Sequence, residues 1–98
     1  MMIEIKKNTQ EVTVEVVGRL DTTTAPSLEK TINEDLGDAT NLILDLKGLE
    51  YISSAGLRVL LSAQKKMNKI GSMKVINVCD SVMEVFDITG FLDILTIE

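Results

Sequence analysis

Fifteen acidic and ten basic residues give the 98-residue chain a formal net charge of −5 at pH 7, and 45% of its residues are hydrophobic. This length predicts a single domain spanning residues 1–98, and the composition is typical of a globular protein rather than a disordered one. The acidic balance argues against a nucleic-acid surface and against attraction to anionic membranes. We therefore expect its partners to be proteins.

Histidine is absent and cysteine occurs only once. Without imidazole, Ser-His-Asp triads, histidine metal sites and histidine phosphocarriers are all excluded. The single Cys79 allows neither an internal disulfide nor a thiolate zinc cluster, and its place beside an apolar segment predicts a buried, inert thiol. We expect neither a metal nor a cofactor.

Nothing in the sequence predicts a membrane or secretory segment. No stretch reaches the roughly 18 apolar residues that a membrane span needs. Residues 1–8, MMIEIKKN, lack the apolar core of a signal peptide. We expect a cytoplasmic protein that does not insert into a membrane.

The N-terminal residues show the alternation of half-buried strands. Ile3 and Ile5 alternate with charged residues, and the same period continues in a second apolar set, Val12, Val14 and Val16. The short polar connection between them predicts an antiparallel hairpin.

A helix is predicted to begin near Thr24, after the polar run 21–24. Ala25-Pro26 follows, and proline is tolerated in a first helical turn because its missing amide costs nothing there. Apolar residues then recur at helical spacing as far as Leu36, and Gly37 is a plausible C-terminal stop.

The central segment predicts a buried strand followed by a long helix. Residues 42–46, LILDL, are almost continuously apolar, as in a strand covered on both faces. Apolar residues recur at helical spacing from Gly56 to Ile70. Ser53 is the better N-cap candidate, so that Ser54 occupies the first helical position.

The C-terminal part predicts a strand, a helix and a last strand. Residues 73–78 are apolar, Asp80 or Ser81 could cap the following helix, and Gly90 could end it. Residues 94–97 then predict a final strand. The whole order is β-β-α-β-α-β-α-β, which indicates an α/β fold with helices packed on one mixed sheet.

The segment 53–57, Ser-Ser-Ala-Gly-Leu, resembles the phosphorylation segment of the STAS family, specifically of the bacterial anti-sigma factor antagonists. The family pattern after a buried strand is roughly acid-Ser-small-Gly-Leu, and this chain has Ser53 where the family often has Asp. A second landmark agrees: Gly18-Arg19-Leu20-Asp21 and Ala25-Pro26 look like the family's Gly-x-Leu-Asp and Ala-Pro.

The resemblance implies a single STAS domain and a protein-interaction switch. An anti-sigma factor serine kinase would be captured by the unphosphorylated domain, which frees a sigma factor for transcription. That kinase would phosphorylate Ser54, with Ser53 as the alternative, and a PP2C-type phosphatase would reset it. The implied partner surface consists of Asp21, Thr22, Thr23, Thr24, Ser53, Ser54 and Arg58.

Other interpretations remain open from the sequence. Serines at helix starts usually only cap the helix, and Asp21 could merely organise its loop. The chain could be a STAS adaptor or scaffold subunit, transporter-associated or stressosome-like, or a small nucleotide-binding module that uses the helix terminus as an anion site. Because Ser53 and Ser54 have only Asp21 and Asp45 as nearby partners, we expect no enzyme. We also expect a monomer.

Overall fold

The secondary structure follows the predicted alternation of strands and helices. The computed structural model describes residues 1–98. Its elements are β1 (Met2–Lys7), β2 (Glu11–Leu20), α1 (Ala25–Asp35), β3 (Asn41–Ile52), α2 (Ser54–Ile70), β4 (Ser72–Ile76), α3 (Asp80–Thr89) and a 3₁₀ turn (Phe91–Asp93).

The four strands form one mixed sheet in the order β1-β2-β3-β4. The β1-β2 pair is antiparallel, whereas β2-β3 and β3-β4 are parallel. A short turn can join only the antiparallel pair, and α1 and α2 make the two parallel crossovers. The predicted α/β fold with a mixed sheet is confirmed.

One face of the sheet carries the core. Val14, Leu44 and Val75 occupy neighbouring positions on β2, β3 and β4, and each is at most 1% exposed. Burial of each such side chain contributes about 1.5–3 kcal/mol. Residues of the opposite face, such as Ile43 and Asp45, are only half-buried.

Each helix contributes to the same core of 24 buried residues. Leu28 of α1, Leu60 of α2 and Phe86 of α3 are completely buried. Gly90 ends α3 in the left-handed conformation, with φ of 81°, that glycine adopts without strain. Phe91 then folds back, and its ring stacks on that of Phe86 at 6.4 Å between centroids.

The last predicted strand, residues 94–97, is reduced to a single bridge. Ile97 lies beside Val75 in parallel orientation, and the Val75 amide donates to the Thr96 carbonyl at 2.8 Å. The 3₁₀ turn takes up the preceding residues, because the amides of Ile94 and Leu95 both donate to the Phe91 carbonyl. Too few residues then remain for a longer ladder.

The predicted cap of α3 is wrong. Cys79 occupies the N-cap position, and Asp80 is already helical. The Ser81 hydroxyl contacts the Glu50 carbonyl at 3.4 Å and the Cys79 sulfur at 3.3 Å, so it ties α3 to β3.

The prediction that the Cys79 thiol is buried is also wrong. Cys79 is half-buried, and its thiol donates to the Leu49 carbonyl at 3.3 Å. Hydrogen bonding from Ser81 is the largest cause of the lowered pKa of this thiol, relative to its usual value of 9.0. The lowered pKa favours the thiolate, which is the reactive form of cysteine.

None of the helices combines the length and the apolarity needed to cross a membrane.

Candidate functional site

The carboxyl ends of β2 and β3 bring the predicted site residues to one edge of the sheet. Leu20, the last residue of β2, pairs with Ile52, the last residue of β3. Asp21 directly follows β2, and Ser53 directly follows β3. The Ser53 amide donates to the Leu20 carbonyl at 2.9 Å, which joins the start of α2 directly to the loop before α1. Loops at this edge of a parallel sheet commonly carry functional groups.

Close packing at Gly56 sets how α2 leaves this edge. A Cβ atom at this position would lie 2.8 Å from Ile52 Cγ1 and 2.8 Å from Leu20 Cγ. Both neighbouring side chains are buried, so they have little room to move aside. The glycine of the Ser-Ser-Ala-Gly-Leu segment therefore allows the first turn of α2 to pack against the strand ends.

Ser54 is the first residue of α2, and its side chain is exposed. The first turn of α2 contains no acidic residue, and no side chain caps it. Unpaired amides at a helix start carry a partial positive charge. An anion on the Ser54 hydroxyl would therefore meet a favourable local field, with no carboxylate in the same helical turn.

Ser53 takes the N-cap position with an extended backbone, as predicted, but its hydroxyl makes no cap hydrogen bond. The Oγ atom is buried and has no hydrogen-bond partner at all. The prediction of a serine side-chain cap is therefore wrong, although the helix boundary is correct. The two adjacent serines differ in access, because only Ser54 is exposed to a second protein.

The loop before α1 is organised by the Asp21 carboxylate. Its Oδ1 atom accepts hydrogen bonds from the amides of Thr23 and Thr24 and from the Thr23 hydroxyl, and it lies 3.2 Å from the Thr24 hydroxyl. The shortest, 2.7 Å, comes from the Thr23 hydroxyl, which is also the largest cause of the lowered pKa of Asp21 relative to 3.8. Partial desolvation opposes this shift. The Thr24 hydroxyl in turn contacts the Arg19 carbonyl at 2.8 Å.

Thr22 and Arg58 lie across a cavity of about 270 Å³ between α1 and α2. Thr22 is exposed at the tip of the Asp21–Thr24 loop, and Arg58 is exposed one turn after Ser54. Arg58 forms no ion pair, so its guanidinium is free to meet an anion. The remaining lining residues are Ala25, Pro26, Glu29, Ala55 and Val59.

A second cavity, of about 220 Å³, continues the first along the helices. The two share Glu29 and Val59, and the second extends to Asn33 and Lys66. A groove therefore runs between α1 and α2 from the Ser54 end of the sheet. It is partly apolar and carries a basic residue near each end.

Arg19 and Tyr51 form a feature of this edge that sequence analysis missed. They are direct neighbours on β2 and β3, and the guanidinium carbon lies 4.2 Å from the centre of the tyrosine ring. Both side chains are exposed, and Tyr51 retains 41% of its accessible surface. Only the register between the two strands could have revealed this pair, because the residues are far apart in sequence.

Two exposed side chains of this edge are of types that are common in protein interfaces. The Arg58 guanidinium and the Tyr51 ring are both exposed, and arginine and tyrosine are enriched among the residues that dominate protein–protein binding. No cluster of three or more carboxylate or thiol side chains is placed to hold a metal ion.

Comparison with known proteins identifies the family. The model of the STAS domain matches residues 2–98. The anti-sigma-B factor antagonist of Bacillus subtilis (strain 168) is 31% identical over 96 residues, which covers 97% of this chain and 88% of that protein. A solved structure of an anti-sigma factor antagonist from Mycobacterium paratuberculosis has a TM-score of 0.88 at 25% identity, covering 98% of this chain and 83% of that one.

The anti-sigma factor antagonist SpoIIAA, solved in its unphosphorylated form, has the same fold. It has a TM-score of 0.84 at 18% identity, and the match covers 99% of this chain and 88% of the other. The matched family model, the relative from Bacillus subtilis and the shared fold agree over nearly the whole length. The chain therefore belongs to the STAS domain family.

Proposed function

We propose that this chain is an anti-sigma factor antagonist whose binding to its anti-sigma factor is switched by phosphorylation of Ser54. The observation that carries the proposal is the exposed Ser54 hydroxyl at a helix start without acidic residues, beside the free Arg58. The relatives named as anti-sigma factor antagonists support the regulatory class.

In the unphosphorylated state, the partner is an anti-sigma factor serine kinase. It binds the edge formed by the loop before α1 and the start of α2, and thereby releases a sigma factor. The contacting residues are Asp21, Thr22, Thr23, Thr24, Ser53, Ser54 and Arg58. Thr22 and Thr23 are fully available to such a partner because both are exposed.

Phosphorylation changes the charge at the centre of this surface. A phosphoserine carries about −1.5 to −2 charges at pH 7. Within the chain, the first turn of α2 and Arg58 partly stabilise that charge. At an interface, the phosphate must lose its hydrating water, which costs free energy. It also repels any carboxylate of the partner that lies close to residue 54, whereas the uncharged serine does not. The phosphate therefore opposes binding, and a PP2C-type phosphatase that removes it restores binding.

The difference in access between the two serines favours Ser54 as the phosphorylated residue. A kinase must bring the γ-phosphate into line with an accessible hydroxyl. Ser54 is exposed, whereas the Ser53 Oγ atom is buried at the junction of α2 and the strand ends. Modification of Ser53 would require the first turn of α2 to open.

The test is peptide mapping by mass spectrometry after incubation with the anti-sigma factor serine kinase of the same genome and Mg-ATP. We expect phosphate on Ser54 in the wild type and in Ser53→Ala, and none in Ser54→Ala. Ser53→Ala is a matched control because it removes an identical hydroxyl one residue away. Phosphate that remains in Ser54→Ala and disappears in Ser53→Ala would refute the assignment.

A further inference from the structure

Strand β1 is an open edge of the sheet. It begins the strand order and has a neighbour on one side only, β2. Five of its six residues are exposed, including the apolar Met2 at 59% and Ile5 at 36%. An exposed edge strand offers unpaired backbone groups to another strand.

The hairpin hydrogen bonds decide which groups of β1 point outward. The Asn8 amide donates to the Glu11 carbonyl at 2.8 Å, so these residues form a hydrogen-bonded pair. Antiparallel ladders alternate between hydrogen-bonded and non-hydrogen-bonded pairs. In the observed register, Met2, Glu4 and Lys6 therefore bond to β2. The amides and carbonyls of the alternate residues, Ile3, Ile5 and Lys7, point to the open edge.

The charges on β1 select one symmetric register for pairing with itself. With Ile5 opposite Ile5, all the outward-pointing groups find partners, and each Glu4 faces Lys6 of the other copy. Centring the pair on Glu4 or on Lys6 would instead place like charges directly opposite each other, which destabilises a strand pair. Lys7 is already paired within its own chain, with Asp35 at 3.4 Å.

We propose that β1 pairs in antiparallel fashion with β1 of a second copy of this chain, with Ile5 opposite Ile5 on a twofold axis. The two four-stranded sheets then become one continuous sheet across the dimer. This proposal goes beyond the Ser54 switch and replaces the monomer expected from the sequence. Since β1 is separated from β3 by β2, pairing leaves both copies of the Ser54 edge accessible.

The strength of this association follows from its size. A single six-residue strand on each side buries less than the roughly 800 Å² per partner of a standard stable complex. The two chains are also both acidic overall, so their long-range repulsion opposes approach. The dimer should therefore form at high protein concentration and dissociate on dilution, and added salt should not abolish it.

Charge exchange on β1 tests both the surface and the register. The variants are Glu4→Lys, Lys6→Glu and the double exchange, each made in the full chain. Equilibrium sedimentation over a wide range of concentrations measures the monomer–dimer equilibrium of each. All three alter exposed side chains only. Glu84→Lys is the matched control, because it makes the same charge change on the exposed side of α3. Circular dichroism and thermal melts check that each variant folds.

We expect each single exchange to weaken dimerisation about tenfold, because twofold symmetry turns two attractive pairs into two repulsive ones. The double exchange restores the wild-type association, and Glu84→Lys leaves it unchanged. A wild-type chain that remains monomeric at every concentration would overturn the proposal. So would a dimer that is insensitive to Glu4→Lys, or association of β1 only with a different protein.

Discussion

Substitution of Gly56 by alanine tests the packing that fixes the start of α2. The new methyl group would lie 2.8 Å from two carbon atoms of buried side chains, Ile52 Cγ1 and Leu20 Cγ, and 3.0 Å from a third, Leu20 Cδ2. Overpacking of this kind costs about 1–3 kcal/mol, and the better helix propensity of alanine returns up to about 1 kcal/mol. We expect a net loss of about 1–2 kcal/mol in the free energy of unfolding.

Chemical denaturation measures this loss, and thermal melting should show a decrease of about 5–10 °C in Tm for a chain of this size. Leu20→Ala removes both leucine atoms that meet the new methyl group, although alone it costs about 2–5 kcal/mol. The double variant should therefore lose less than the sum of the two single variants. A Gly56→Ala protein that is more stable than the wild type, or strictly additive losses, would refute the close-packing explanation.

Three further predictions follow from individual side chains. Ser53→Ala should leave the free energy of unfolding unchanged or raise it by about 1 kcal/mol, because the buried hydroxyl has no hydrogen-bond partner to lose. If chemical denaturation instead shows a loss of about 1 kcal/mol, the Ser53 hydroxyl caps α2 in solution. Cys79 should react with a thiol reagent in the folded protein at lower pH than free cysteine does, and Ser81→Ala should move its pH profile upward; an unmoved profile would contradict the role of Ser81. Because the pKa of Asp21 in the folded chain lies below 3.8, the carboxylate stabilises the fold above that pH, and this stabilisation is lost as the pH falls through the folded pKa. Asp21→Asn should therefore lower Tm at neutral pH and have the same Tm as the wild type in strong acid. An equal difference in Tm at both pH values would exclude the carboxylate as the cause.

Local sequence patterns predicted the elements whose formation depends on local periodicity. Alternating valines predicted β2, and helical spacing from Gly56 to Ile70 predicted α2. The polar run before Ala25-Pro26 correctly placed the start of α1. These patterns succeed because one buried face is enough to set the period of a strand or a helix.

Features that depend on contacts between distant segments could not be predicted. The bond from the Ser53 amide to the Leu20 carbonyl and the stacking of Arg19 on Tyr51 exist only because β2 and β3 are adjacent in register. The prediction of a last strand at residues 94–97 was wrong for a local reason. A 3₁₀ turn after Gly90 competes for the same residues and leaves a single bridge at Ile97.

The sequence named candidate site residues but not their environments. The helix-start pattern and the family resemblance made both serines candidates, but the sequence could not distinguish their access to a partner. The structure separates them, because the Ser53 hydroxyl points into the packed junction whereas Ser54 is exposed. Similarly, the sequence did not decide whether Asp21 organises its loop or contacts a partner. Its carboxylate accepts three hydrogen bonds within the loop, from two amides and the Thr23 hydroxyl, which support a structural contribution.

Calorimetric titration of the anti-sigma factor serine kinase with the unphosphorylated and the fully Ser54-phosphorylated chain tests the central claim most directly. Ser54→Ala, kept with Mg-ATP, is the matched control for a chain that cannot be modified at this position. The account predicts tight binding by the unphosphorylated chain and by Ser54→Ala, and at least tenfold weaker binding by the phosphorylated chain. Equal affinities of the phosphorylated and unphosphorylated chains would contradict it.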